Sequence, residues 1–512
     1  MTAALVRYDL LIQAREHGTW LLLAAAMLMA WFGLWQGAAF TRTAQAVAAS
    51  VEAQEASALH AAQRYAATFF AEPDSADHQE ARWFRNVADI RGYAFREHTA
   101  FAVKPPMPGA ALAIGQSDLL PGYSRVRAES MESVRNAGEF EHPQRLSVGR
   151  FDLAFVVLYL WPLVLLAVSI SALTADREAR RVDTLRLQGV STLRLLLAQV
   201  FGRTIAITML FIASLALPAF VFAVVPQSMA GGAAIAHWSL VVVMYSLFWA
   251  GVAAAVAALS TTRTVAAFAA FGTWVVLTIV LPQILAATVS AVSPLPSREM
   301  YLLKQREAVD RVNADRNSIV QRFYDQHPEW RPKSTPLNKV SGPVVRFARA
   351  IELERAMAAT EAKFDAARMT QASQLRAAMW ISPVTVVQTA LSQLAGNDAR
   401  RHDQFIQEVR RYQLALRDFF QAHLQRAALE NEATPCVHPS TTCRPGFGFT
   451  HHETVPRFSA SHLLEAPAVP ANLGWLAVWC LALVTLSAYW LRTKSAARKS
   501  GTSVNVAARG DS

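Results

Sequence analysis

Charge-free apolar runs recur along this 512-residue chain and set the first expectation. A helix needs about 20 mostly apolar residues to cross the hydrocarbon core of a bilayer. Residues 19–40 and 153–174 contain no Asp, Glu, Lys or Arg, and neither does the stretch 204–262. That last stretch is too long for one crossing, and "PQSMAGGAAIAHW" (226–238) divides it. A fifth run follows 264 and stops at the "SPLPS" breaker (293–297); a sixth occupies 466–491. The pattern predicts spans at 19–40, 151–174, 204–225, 238–260, 264–293 and 470–491. Between them lie an N-terminal stretch 1–18, a short connection 175–203, a basic tail 492–512 and two long segments, 41–150 and 294–465.

The long segments carry their own periodicity. Residues 43–70 are Ala-rich and lack Gly and Pro, which predicts a helix extending the first span. Residues 100–127 are punctuated by Pro and Gly and read as loop with short strands. Residues 298–327, 345–379 and 399–429 read as helices, charged on one face and apolar on the other, separated by Gly342-Pro343 and by "AGND" (395–398). The expected fold class is therefore an all-α integral membrane protein: six transmembrane helices with two large, mainly helical extracytoplasmic insertions.

Composition agrees. Charged residues make up 17% of the chain, against about 25% in a typical soluble domain. The net charge of +11 would by itself suit nucleic acid or an anionic membrane surface. The apolar runs decide for membrane lipid and against nucleic acid. Orientation follows from the short segments 1–18, 175–203, 261–263 and 492–512, which hold fourteen Arg and Lys against six Asp and Glu, whereas the long ones hold 35 against 31. Positive charge in short loops marks the cytoplasmic side, so both termini are expected there. The small residues of "TAQAVAA" (43–49) resemble a signal-peptide cleavage site. The preceding run is longer than a signal core, however, and fits an uncleaved anchor better.

Candidate chemistry is sparse. The chain has no GxxxxGK[ST], no HExxH and no CxxC, so it carries no ATPase motif of the P-loop kind and no enzymatic activity is expected. "CVHPSTTCRPGFGFTHHE" (436–453) gathers two Cys and three His but fits no zinc spacing, and no metal site is expected. Cys436 and Cys443 fall in a segment expected to face an oxidising compartment, where a disulfide between them is open. Asp152, at the outer edge of the second span, is a candidate helix-start or span-orienting residue. The expected spans hold no ionisable relay of the sort coupled pumps use, so any driving energy would come from another chain.

The connection 175–203 is the most informative stretch. Arg177, Glu178, Arg180, Arg181 and Asp183 alternate in sign, and a leucine-rich stripe follows. Arginines lying along lipid headgroups account for the basic residues but not for the acidic ones. "ADREARRVDTLRLQGVSTLRLLLAQVFGR" (175–203) resembles the segment after the second span of ABC-2-type permeases, the membrane subunits of ATP-driven type-2 exporters. Glu178, Thr184 and Leu185 match that pattern, and Asp183 stands where a Gly is usual. "GQSDLLPGY" (115–123), "GRFDLAFVVLYLWPL" (149–163), "SPVTVVQTALSQLAGND" (382–398) and "RHDQFIQEVRRYQLALRDFF" (401–420) resemble a permease subgroup with a long extracytoplasmic domain of unassigned function. The resemblance implies an inner-membrane permease paired with itself or a sister permease. It implies a separate ATPase that binds the ATP, with no cofactor in this chain, and a helix around 175–194 as the contact with that ATPase. Two other readings remain at this point: a mechanotransmission subunit moving no substrate, and a membrane-anchored enzyme with its site in 294–465.

Overall fold

A computed structural model describes residues 2–72, 83–115, 117, 120, 122–129, 151–178, 181–224, 228–331, 342–433, 447–460, 463 and 473–507. Among them the structure is all-α apart from one antiparallel strand pair. Six helices are long and apolar enough to cross a membrane.

Helix α1 (Thr2–Gln13) leads into α2 (His17–Ala71), one unbroken helix of 55 residues. At about 1.5 Å per residue α2 is far longer than a bilayer is thick, and its second half is the Ala-rich stretch without Gly or Pro. The second apolar helix, α3, runs from Leu153–Phe155 through a π-helical turn (Val156–Leu160) into Trp161–Glu178. A short helix α4 (Arg181–Leu187) precedes α5 (Thr192–Ser214) and α6 (Ala216–Val221). Helix α7 is Met229–Leu259; α8 joins Arg263–Val275, a π-turn Val276–Val280 and Leu281–Val292. Helix ends depart from the sequence reading at several places, and two lie around α5 and α7. Residues 192–203, read as connection, already belong to helix α5, and the break inside 226–238 ends before Met229.

The remaining elements are α9 (Arg298–Ala314), α10 (Arg316–Gln326), α11 (Gly342–Ala378), α12 (Pro383–Leu394), α13 (Ala399–Ala433) and α14 (Leu473–Ala507). Strands β1 (Ala100–Val103) and β2 (Tyr123–Val126) pair with Ala100 opposite Val126. Two apolar cores organise these elements. The first joins the apolar helices and is centred on Trp161, Tyr245, Phe248 and Trp249, all nearly fully buried. Two buried hydrogen bonds cross it: Tyr245 Oη donates to Leu158 O (3.0 Å) and Trp161 Nε1 to Ser246 Oγ (3.0 Å), tying α3 to α7. The second core gathers residues from the first long segment, such as Tyr93 and Phe95, with Phe323, Phe347, Phe405 and Phe420 from the second. Segments more than 200 positions apart in the chain thus share one interior.

The first core also draws on the two long segments. Val384, Val387, Leu391 and Leu394 of α12 belong to the first core, as do Ala111 and Leu112. Helix α12 buries one apolar face, with Ser382 capping it through the Thr385 N–H (3.4 Å) and Pro383 at its start.

Candidate functional site

At the end of the bundle that holds the connection 175–203, three ion pairs among the described residues join charged side chains of different helices. Glu178 closes α3, and its Oε1 accepts the backbone N–H of Arg263 (3.0 Å) while Oε2 pairs with the Arg263 guanidinium (3.1 Å). A carboxylate beside the unsatisfied N–H groups at the start of α8 is favoured by the helix dipole. Asp176 accepts from Gln199 Nε2 (2.8 Å) on α5 and pairs with Arg181 (3.4 Å) on α4. Arg203 is the most deeply placed: its Nε and Nη2 donate to Asp9 of α1 (2.6 and 2.7 Å), and its Nη1 donates to Val168 O of α3 (3.1 Å). Both members of that pair are buried. These contacts bind α1, α3, α5 and the start of α8 into one unit.

Helix α4 rides on that unit. Val182 and Val190 are buried and Leu185 packs against the first core. Thr184, Leu187 and Gln188 face outward, and Leu187 is 90% exposed. The turn that follows needs a left-handed residue, supplied by Gly189 at φ +83°, which places the Val190 N–H on Leu185 O (3.0 Å) and ends the helix. Ser191 then caps α5 through the Arg194 N–H (3.3 Å). The result is a short hairpin held from beneath with an apolar tip.

Of the residues singled out from the sequence, Glu178, Arg181, Thr184 and Leu185 meet in this hairpin and its base. The side chains of Arg177 and Asp183 lie outside the described residues, as does the whole of Arg180. Cys436 and Cys443 also lie outside them. Asp9, Gln199, Arg203 and Arg263 were missed; each acts through a partner remote in sequence.

At the opposite end of α3, Asp152 ties that helix to the loop between β1 and β2. Its Oδ1 accepts from the Phe155 N–H (2.7 Å), capping the helix, and its Oδ2 accepts from the Ile114 N–H (2.8 Å). Two glycines of α2 make room for this joint: a Cβ on Gly33 would stand 2.7 Å from the Asp152 carbonyl carbon, and one on Gly37 would overlap the Ala111 oxygen. Asn397, just past α12, donates to Ala113 O (2.7 Å) and Ala110 O (3.2 Å), and Arg401 donates to Gly396 O (2.9 Å) and Pro105 O (2.6 Å). The loop 105–114 is thereby clamped between α2, α3 and α12.

A cleft of about 330 Å³ opens beside the second core, lined by Glu52 and Glu55 of α2 and by Tyr93, His98, His452 and Arg457. Burial, with His452 and Arg125 nearby, pushes the His98 imidazole down to about 4, and burial lowers His452 as well. Both rings are neutral at pH 7. Among the described residues no group of three or more His, Cys, Asp or Glu is placed to hold a metal ion.

Comparison with known proteins adds one finding. Residues 298–433, from the start of α9 to the end of α13, match a family described as "Domain of unknown function (DUF3526)". No curated protein and no solved structure matches the chain.

Proposed function

We propose that this chain is the membrane-spanning permease subunit of an ATP-driven transporter of the ABC-2 type, an exporter whose ATPase is a separate chain. The observation that carries the reading is the hairpin of α4. Its tip, Leu187, is 90% exposed, while Asp176, Glu178 and Arg181 at its base are paired within the chain. A short helix anchored on two spans and ending in an uncovered leucine suits a docking contact, and its sequence is the one that resembles the ABC-2 coupling segment. ATP binding in the partner would push on α4, and the network through Asp176, Gln199 and Arg203 would pass the displacement to α3, α5 and α1. That is a rigid-body switch biased by a ligand held elsewhere. The chain would lie in a bacterial inner membrane as a dimer with itself or a sister permease. Both termini and α4 would be cytoplasmic, and the second core extracytoplasmic.

A second reading is favoured by the clamp at Asp152, Gly37 and Asn397. A body joined so closely to the bundle is suited to being moved by it, as in a mechanotransmission subunit that works on an envelope partner without transport. Both readings require an ATPase at α4.

The test is ATP hydrolysis in the eluate of the tagged chain purified from its native membrane in mild detergent. Hydrolysis should accompany the unaltered chain and be lost on Leu187→Glu with the thermal unfolding of the permease unchanged. Equal hydrolysis from the two, or none from the unaltered chain, would overturn the docking role.

A further inference from the structure

Outside the six apolar helices, two neighbouring elements of the second core expose large apolar side chains. On the first turns of α9 these are Met300 (55% exposed), Leu302 (45%) and Leu303 (51%). At the end of α11 and just beyond it they are Met369 (62%), Trp380 (41%) and Ile381 (51%).

Their level relative to the spans follows from two contacts. The ring of Tyr301 on α9 meets that of Phe364 on α11 (5.9 Å between centroids), and Gln371 Nε2 donates to the carbonyl of Ser293 (3.1 Å), the residue that ends α8. Eight residues back along one strand of this pairing match seven forward along the other, so α11 runs antiparallel to α9 and then to α8. The turns of α11 after Gln371 therefore lie beside the last turns of α8, an apolar helix long enough to span and only 11% buried along its most apolar window. Trp380 closes the arrangement at the start of α14, where its carbonyl accepts from Trp475 Nε1 (2.6 Å) and the two rings meet edge to face. Tryptophans at this level are a mark of the membrane–water interface.

We propose that the start of α9 and the end of α11 are immersed in lipid, in the leaflet on the side away from the chain termini, so that the second core is seated in the bilayer as well as joined to the bundle. The uncovered surface is continuous with the exposed face of α8, where Ile284 and Val292 are 55% and 69% exposed. Charge selects lipid over a second copy of the chain. Between Asp365 and Asp398 there is no carboxylate. Of the two arginines in that interval, Arg368 pairs with Asp403 (2.9 Å), while Arg376 is exposed. A two-fold copy meeting through the end of α11 would set one arginine-bearing, acid-free segment against another. A phospholipid instead offers a phosphate to Arg376, and to Arg298 and Lys304 beside Glu299 on α9, and offers the neighbouring side chains an acyl layer. This inference needs only that the six helices span a membrane, and stands apart from the ATPase reading.

The test places a nitroxide on a single cysteine at position 303 or 369, in the full chain with its three native cysteines changed to alanine and reconstituted in phosphatidylethanolamine–phosphatidylglycerol nanodiscs. Collision with oxygen, which concentrates in lipid, is compared with collision with a water-soluble nickel chelate. Phe268 serves as the lipid-facing control and Arg410 as the aqueous one. Both test positions should show an oxygen-to-nickel ratio several-fold above that at 410 and close to that at 268. A ratio like that at 410 would put these turns in water. Low collision with both reagents would mean protein covers them, as a second copy would, and either result overturns the proposal.

Discussion

Breaking the Asp9–Arg203 pair should loosen the base on which α4 sits. The guanidinium of Arg203 is buried and donates to three acceptors, two of them the oxygens of Asp9. Asp9→Ala removes both at once and leaves a buried cation with only the Val168 carbonyl. Removing one partner of such a pair costs about 3–5 kcal/mol, because the remaining charge keeps its desolvation penalty without the attraction that offset it. Arg203→Met strands the carboxylate and should cost a similar amount. The double variant Asp9→Ala/Arg203→Met strands neither charge, so it should be destabilised by less than the two singles together, with a coupling of at least about 2 kcal/mol. Equilibrium unfolding in mixed micelles, followed by loss of helicity, reads the stabilities. Limited proteolysis of α1 reads its release from the bundle. Single variants costing under about 1 kcal/mol, or a double variant equal to the sum, would refute the view that this pair holds α1 to α3 and α5.

Other predictions address the remaining joints. Asp152→Ala should cost about 2–4 kcal/mol, since it removes a helix cap and leaves the buried Ile114 N–H without an acceptor; thermal unfolding checks it, and an unchanged midpoint would count against the joint. His98 and His402 are each held down to about 4 by burial. Folded and neutral, they take up protons later than the unfolded chain does, so their linked stability is intact above pH 6.5 and falls as pH drops towards 4. The loss is about 3 kcal/mol for His98 and smaller for His402, whose partial exposure screens it. Unfolding midpoints measured from pH 7 to 4.5 should decline over that window, and His98→Gln should flatten the decline; identical slopes would contradict the assignment. Glu178→Gln should cost no more than about 1 kcal/mol, because its pair with Arg263 is partly exposed; chemical unfolding checks this, and a larger loss would mean the pair bears more of the structure than its exposure suggests.

What could be read from the sequence was whatever depends on neighbours in the chain. The extension of α2 beyond residue 40 was legible because 43–70 contains nothing that stops a helix. The start of α5 was not, because a rule that ends a span at the first charge places the boundary at Arg203. That charge is neutralised by Asp9, 194 positions away. Glu178 was singled out as an acid that lipid contact leaves unexplained; its partner in the fold is Arg263, and nothing local announces a pairing over 85 positions. Helix α12 shows the same limit. Its 12 residues are too few to span a bilayer, and only the tertiary fold reveals that they are buried in the core of the apolar helices. The outward side of α4 was the more readable part: Leu187 and Gly189 lie inside the 175–203 segment that carried the resemblance.

The most direct test of the account is a photo-crosslinker in place of Leu187, activated in intact cells and followed by mass spectrometry of the adduct. The account predicts a soluble ATPase bearing a P-loop, crosslinked at 187 and absent when the crosslinker is moved to the buried position 182. Adducts with lipid alone at position 187 would contradict it and return α4 to an interfacial helix with no partner.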